Sequence, residues 1–221
     1  MQRKAKYDRE PYDLSTLGVD NIDRLTLERV PSKSRILELG CATGYMTQYM
    51  AERLKCAVTV VDQDAKALQF AQAFAERTVA GDLNKRKTWR EIHSKGLYEV
   101  VLASNVIEHL ADTTFQLEQI NKALTERGRC IIVVPNIAWW RSRWRLLRGI
   151  WQYEEYGLFD ETHLRFFSLN SLRQSLESSG FHVLDEAYDP AGGAKWFTPL
   201  LKKFPNAYAY QVVIVAEKIS S

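Results

Sequence analysis

Four groups of residues in this 221-residue chain have types and spacings suited to chemistry. The first is Glu38-Leu39-Gly40-Cys41-Ala42-Thr43-Gly44, an apolar run that ends in small residues just before a helical stripe starting near Tyr45. Small residues there let the backbone approach a ligand closely, while the amides opening the helix face it. The second is Asp62, which closes the next apolar run, with Gln63 beside it. A carboxylate at that position can accept from both hydroxyls of a ribose. A tight strand-to-helix turn would account for the glycines alone; with Asp62 in register, a nucleotide-type ligand is the expectation. A dinucleotide is disfavoured, because Ala42 and Tyr45 interrupt the G-x-G-x-x-G fingerprint. The third group is the histidines. His109, in Ser104-Asn105-Val106-Ile107-Glu108-His109-Leu110, reads as a general base or as a residue shaping a pocket. His163 lies in Asp160-Glu161-Thr162-His163-Leu164-Arg165, where two carboxylates and a histidine hint at a metal. No second cluster of matching spacing accompanies it, so no metal is expected, and His163 or Arg165 is expected to face a substrate. His182 reads as structural, and His93 as part of a polar link. The fourth group is a run of Trp and Arg. On a helix Ile137, Trp140, Trp144, Leu147 and Trp151 share one stripe, and Arg141, Arg145 and Arg148 another. Either the Trp stripe packs inward beneath a solvated Arg face, or the helix meets a membrane surface or an anionic substrate.

These residues need a frame. Strand-type runs at 34–39, 57–61, 77–80, 98–103, 130–134, 181–186 and 208–217 alternate with helical stripes. Met46, Tyr49, Met50 and Leu54 form one stripe; Asp64 caps a second, carrying Ala67, Leu68, Ala71, Phe74 and Ala75. Asp112 caps a third with Phe115, Leu117, Ile120 and Leu124, which Gly128 is expected to end. Ser168 opens a fourth with Leu169, Leu172 and Leu176, ended by Gly180. The alternation predicts an α/β fold, a mostly parallel sheet with helices on both faces. Segments 136–167 and 189–206 break it. Loops longer than about 15 residues in a compact domain usually act as lids or binding segments. The first leaves the carboxyl end of the fifth strand, where ligands of open α/β sheets bind. A single domain is expected, with a core of 30–135 and 168–221 and an acceptor lid of 136–167.

Composition narrows the class. With 46% apolar and 26% charged residues, disorder and disulfide scaffolds are excluded. Thirty Lys and Arg against 27 Asp and Glu leave a formal charge of +3, too balanced to imply nucleic acid. No apolar run approaches the roughly 20 residues of a membrane span, and the mixed-charge N-terminus is no secretory signal. Cys41, Cys56 and Cys130, an odd set without C-x-x-C spacing, point to a reducing, cytoplasmic setting.

Over residues 34–135 the sequence resembles the class I S-adenosylmethionine-dependent methyltransferases. Their first motif, acid-x-Gly-x-Gly-x-Gly, is matched by Glu38, Gly40, Ala42 and Gly44, with Ala42 for the middle glycine. The resemblance implies a Rossmann-like sheet of seven strands whose last runs antiparallel, with S-adenosylmethionine as cofactor and S-adenosylhomocysteine as product. It implies that Asp62 holds the ribose and that Gly81-Asp82-Leu83 faces the adenine, although Asp82 also reads as a turn residue. Glu38, through water, would meet the methionine ammonium. Backbone around Gly40 and Ser104-Asn105 would hold the amino-acid end, and Cys41, Tyr45, Gln63 and Val106 would also touch the cofactor. Residues 135–168 resemble, more narrowly, bacterial methyltransferases found with glycosyltransferases in cell-surface polysaccharide assembly. That implies O-methylation of a sugar or saccharide intermediate, contacted by Trp140, Arg141, Arg145 and Arg165, with His109 or His163 as base. A peripheral membrane or glycosyltransferase contact is implied as well. Methylation of another small metabolite, or a non-catalytic cofactor-binding docking protein, remains open.

Overall fold

Seven strands hydrogen-bond into one sheet in the computed structural model, which describes residues 13–191 and 203–219. They are β1 (Arg35–Leu39), β2 (Ala57–Asp62), β3 (Arg77–Ala80), β4 (Tyr98–Ser104), β5 (Leu124–Pro135), β6 (Phe181–Asp189) and β7 (Gln211–Lys218). Their order is β3-β2-β1-β4-β5-β7-β6. β7 runs antiparallel to both neighbours, and the pairings from β3 to β5 are parallel. Central strands such as β4 are buried on both faces, which is why they read as unbroken apolar runs. Leu37 and Leu39 point into one core; Ile36, Val58 and Val60 point into the other. This is the Rossmann-like arrangement expected from the sequence.

Helices α1 (Ile22–Leu27), α2 (Tyr45–Glu52) and α3 (Ala65–Ala71) cover one face. Asn21 caps α1 and Asp64 caps α3, each through a side-chain oxygen accepting backbone amides. Helices α4 (Arg86–Ser94), α5 (Thr113–Ala123) and α7 (Leu169–Ser178) cover the other face. Asp112 caps α5, and Ser168 forms a reciprocal capping box with Ser171. Two further helices, α6 (Trp140–Leu147) and α8 (Pro205–Tyr208), lie in the segments that break the alternation.

Three local expectations need correction. The expected polar link is α4, anchored by fully buried Trp89 and Ile92. The Trp89 indole donates to the Leu83 carbonyl and to Gln116 Oε1, both at 3.0 Å. Two buried apolar residues among four Lys, Arg and Glu were too few to reveal the stripe. His93 sits on this helix with Nε2 3.3 Å from the Gln119 carbonyl. Helix α5 stops at Ala123, not at Gly128. Leu124 already pairs with Tyr98, and a register shift before Val100 absorbs the turn residues Arg127 and Gly128 within β5. Last, β6 extends to Asp189, so the second irregular segment begins later than expected; its residues 192–202 lie outside the described ones.

Candidate functional site

At the carboxyl end of β1 the chain alternates into left-handed conformations at Gly40 (φ 71°), Ala42 (φ 47°) and Gly44 (φ 74°). Gly40 cannot carry a side chain, because a Cβ there would lie 2.6 Å from Val106 Cγ2. A Cβ on Gly44 would come within 2.8 Å of the Ala71 backbone, so this glycine lets α2 start against α3. Ala42, the departure from the motif, holds its methyl in a conformation disfavoured for residues with a Cβ by about 1 kcal/mol or more. The loop is a backbone cradle held in shape by packing.

Asp62 ties that cradle to β2. Its Oδ2 accepts from the Cys41 amide at 3.1 Å, and its Oδ1 accepts from the Asp64 amide at 2.9 Å. It is half-buried, and each oxygen keeps acceptor capacity for a hydroxyl. Gln63 is exposed beside it. Cys41 is buried, and desolvation raises its thiol pKa far above the ordinary value, so it is no nucleophile. Glu38 lies beneath the loop, 3% exposed, accepting from the Thr47 hydroxyl at 2.6 Å. Burial pushes its carboxyl up to about 8 against the opposing Thr47 bond, and the nearby Asp62 charge adds to the rise. Tyr45 is half-buried at the start of α2.

Asp82 is half-buried after β3, with Oδ1 accepting the Asn84 amide at 2.8 Å in an Asx turn. Leu83 is buried in the core next to Gly81, and its carbonyl is taken by Trp89 and Gln116. Ser104, Asn105 and Val106 continue from β4. Asn105 adopts φ 54° and its Oδ1 accepts from Gln211 Nε2 at 2.9 Å. The loops after β1, β2, β3 and β4 therefore gather at one end of the sheet, which fits a nucleoside-containing cofactor: a cradle without side chains, then a hydroxyl acceptor.

Segment 136–167, the expected lid, packs against the β4 loop. Asn136 is fully buried at its base, where Nδ2 donates to the carbonyls of Asn206 and Ala209 and Oδ1 accepts the Ala138 amide. Asn136 also bridges to Phe167, so the two ends of the segment lie side by side. At the far end the amides of Leu164 and Arg165 both donate to the Glu108 carbonyl at 2.9 Å. His109 Nδ1 lies 3.2 Å from the Thr162 carbonyl and 3.1 Å from its hydroxyl. The rings of His109 and His163 meet edge to face at 4.7 Å between centroids. Sequence distance hid this: residues 108 and 163 stand apart along the chain, and only the returning lid joins them. Glu108 itself, 1% exposed, was not singled out; burial raises its carboxyl to about 8, with Asp160 adding to the rise.

Of the four residues expected to touch a substrate, Arg141 is exposed with its guanidinium 5.2 Å from the Trp139 and Trp140 ring centroids. Trp140 is half-buried against Trp139. Arg145 has a structural engagement: it bonds Glu154 at 2.5 Å and lies over Phe159. Arg165 donates to the Ala111 carbonyl. Of the two readings of the Trp stripe, inward packing does not hold. Trp144 and Leu147 are 59% and 79% exposed, whereas Trp139, off the stripe, is the tryptophan buried with Leu158 and Phe159. α6 is only eight residues long and is anchored through the turn before it, so helical periodicity does not govern its burial.

A methyltransferase-domain family profile matches residues 6–186. A non-reducing polyketide synthase of Penicillium brasilianum is 25% identical over 173 residues, 70% of this chain but 6% of that much longer protein. A ubiquinone biosynthesis O-methyltransferase of Bartonella bacilliformis is 24% identical over 192 residues, covering 83% of this chain and 70% of that one. Among solved structures, an S-adenosylmethionine-dependent methyltransferase of Mesorhizobium loti superposes with a TM-score of 0.60 at 16% identity. That match covers 91% of this chain and all of the other, which speaks for the fold.

Proposed function

The chain belongs to this methyltransferase-domain family, and on that premise we propose that it methylates a hydroxyl of a small acceptor held between the lid and the β4 loop. It is an S-adenosylmethionine-dependent methyltransferase. When bound, S-adenosylmethionine supplies a methyl group on an electrophilic sulfonium. The protein's part is to align the acceptor in line with that methyl, keep water away and take up the proton the hydroxyl loses. The loops after β1 and β2 suit the cofactor, with Asp62 on the ribose. Asp82 suits the adenine side, and Ser104, Asn105 and Val106 the methionine end. The observation that carries O-methylation is the imidazole of His109 on the β4 loop, held by Thr162 of the lid. His109, the less buried of the paired histidines, serves as the base, with His163 behind it.

A sugar or saccharide intermediate suits the exposed Arg141 and the tryptophans of the lid, in the cytoplasm and near a glycosyltransferase or membrane face. A phenolic acceptor is the second reading, favoured by the kinship with the ubiquinone O-methyltransferase. No helix among the described residues is long and apolar enough to cross a membrane. The deciding experiment incubates the protein with S-adenosylmethionine and sugar nucleotides, catechols or amines, reading S-adenosylhomocysteine release and product mass. Methylated hydroxyls are expected. Methylated amines alone would overturn the O-methyl reading, and cofactor binding with no turnover on any acceptor would favour the docking protein.

A further inference from the structure

Glu108 is 1% exposed, and neither oxygen of its carboxyl group has a hydrogen-bond partner. A dry, unpaired carboxyl group is costly, and proteins retain one where a ligand completes it. Two imidazoles stand beside it: one ligand atom from each of Glu108, His109 and His163 lies within 4.8 Å of the other two. Both rings are also oriented. His163 Nδ1 faces the Leu158 carbonyl at 3.2 Å, and His109 Nδ1 faces the Thr162 carbonyl at 3.2 Å. A carbonyl only accepts, so Nδ1 carries the proton in each ring and Nε2 carries the lone pair. Metal-bound histidines are held in this way, with the second nitrogen donating to a backbone carbonyl.

We infer that Glu108, His109 and His163 form a binding site for a divalent first-row transition cation, whose fourth position would take an oxygen of the acceptor. Two imidazoles and one carboxylate suit zinc, cobalt, manganese or iron(II), whereas magnesium and calcium favour all-oxygen sets. Bonds of about 2.0–2.2 Å put ligand atoms about 3.4 Å apart, so capture draws the three together by at most roughly 1.4 Å. Three protein ligands leave a position for a fourth, the pattern of catalytic rather than structural sites. On this inference the cluster sought near Asp160 would take its other two ligands, Glu108 and His109, from the β4 loop. Asp160 is occupied differently, its Oδ1 accepting from the Thr162 amide and hydroxyl. With the ion bound, an acceptor hydroxyl meets a Lewis acid, and His109 acts as a ligand in place of a free base.

The test uses the full chain, dialysed against a chelator and titrated calorimetrically with Zn²⁺, Mn²⁺ and Co²⁺, with S-adenosylhomocysteine binding as the check on folding. One ion per chain is expected for at least one metal, with affinity at least tenfold weaker in Glu108→Gln and in His163→Asn. His182→Asn, at an exposed position on β6, should bind as the unaltered protein does. Absence of stoichiometric binding, or binding unchanged in both site variants, overturns the inference. If His163→Asn loses S-adenosylhomocysteine binding through misfolding, Glu108→Gln decides. Occupancy is read without turnover, so a protein that takes the ion but methylates no hydroxyl refutes the O-methyl reading alone.

Discussion

Replacing Glu38 by Gln should remove a pH dependence of stability that the buried carboxyl imposes. The folded protein holds the Glu38 proton up to about pH 8, against about 4.5 for an unperturbed glutamate. The folded state therefore binds that proton more tightly than the unfolded chain does. The resulting stabilisation is complete below about pH 4.5, declines as pH rises and is exhausted once pH passes about 8. At about 1.4 kcal/mol per pH unit the ceiling on the loss is about 5 kcal/mol, and relaxation around the charged form lowers the realised figure to about 2 kcal/mol. Gln keeps an oxygen for the Thr47 hydroxyl and carries no ionisable proton, so the variant should lack this component while preserving the bond now 2.6 Å long. Urea unfolding of both proteins at pH 5, 6, 7, 8 and 9 isolates the effect. Glu108 titrates over the same range but is common to both, so it cancels in the difference. The Gln variant should gain on the unaltered protein by about 2 kcal/mol between pH 5 and 9. Stability curves that run parallel within about 0.5 kcal/mol would refute the reasoning.

Cofactor binding should act on the same carboxyl: a methionine ammonium nearby favours its charged form, so S-adenosylhomocysteine should release part of a proton near pH 7. Calorimetry in two buffers of different ionisation enthalpy reads this, and equal apparent enthalpies would exclude it. Asp62→Ala removes the acceptor of the Cys41 amide and the proposed acceptor of the ribose hydroxyls, and should weaken S-adenosylhomocysteine at least about tenfold; unchanged affinity would move the ribose site elsewhere. His109→Ala should lower kcat roughly a hundredfold with product affinity nearly intact, and normal turnover would remove His109 from the chemistry. Arg141→Gln should raise the KM of an anionic acceptor and reduce its salt dependence. Arg145→Gln should instead lower the melting temperature, since its bonds are to Glu154 and Phe159.

The strands and the shape of the loop after β1 were legible because their signals are local. The β1 run with its small residues, Asp62 at the end of β2, and the caps Asp64, Asp112 and Ser168 each act within a few residues of themselves. What escaped depended on distant contacts. Trp89 defines α4 only because Leu83 and Gln116 receive its indole, and no periodicity announces that. Trp139 outranks the tryptophans of the stripe because Leu158, Phe159 and Tyr210 come to it from elsewhere in the chain. The Glu108, His109 and His163 group exists only after the lid has folded back.

The pairing of Asn136 with Phe167 at the base of the lid bears on how such a chain can change its diet of substrates. A loop whose two roots are stapled together transmits little of its length or composition to the scaffold beneath. Closure entropy grows only with the logarithm of length, about 0.6 kcal/mol for each doubling, so the tip tolerates insertion and deletion. The stretch from α6 to Gly157 thus tolerates change best, provided Asn136 keeps its bonds to Asn206 and Ala209, Leu158 keeps its place beside Trp139 and His163, and the chain re-enters through Leu164 and Arg165 onto Glu108. Diversification of this segment is then a matter of grafting rather than refolding.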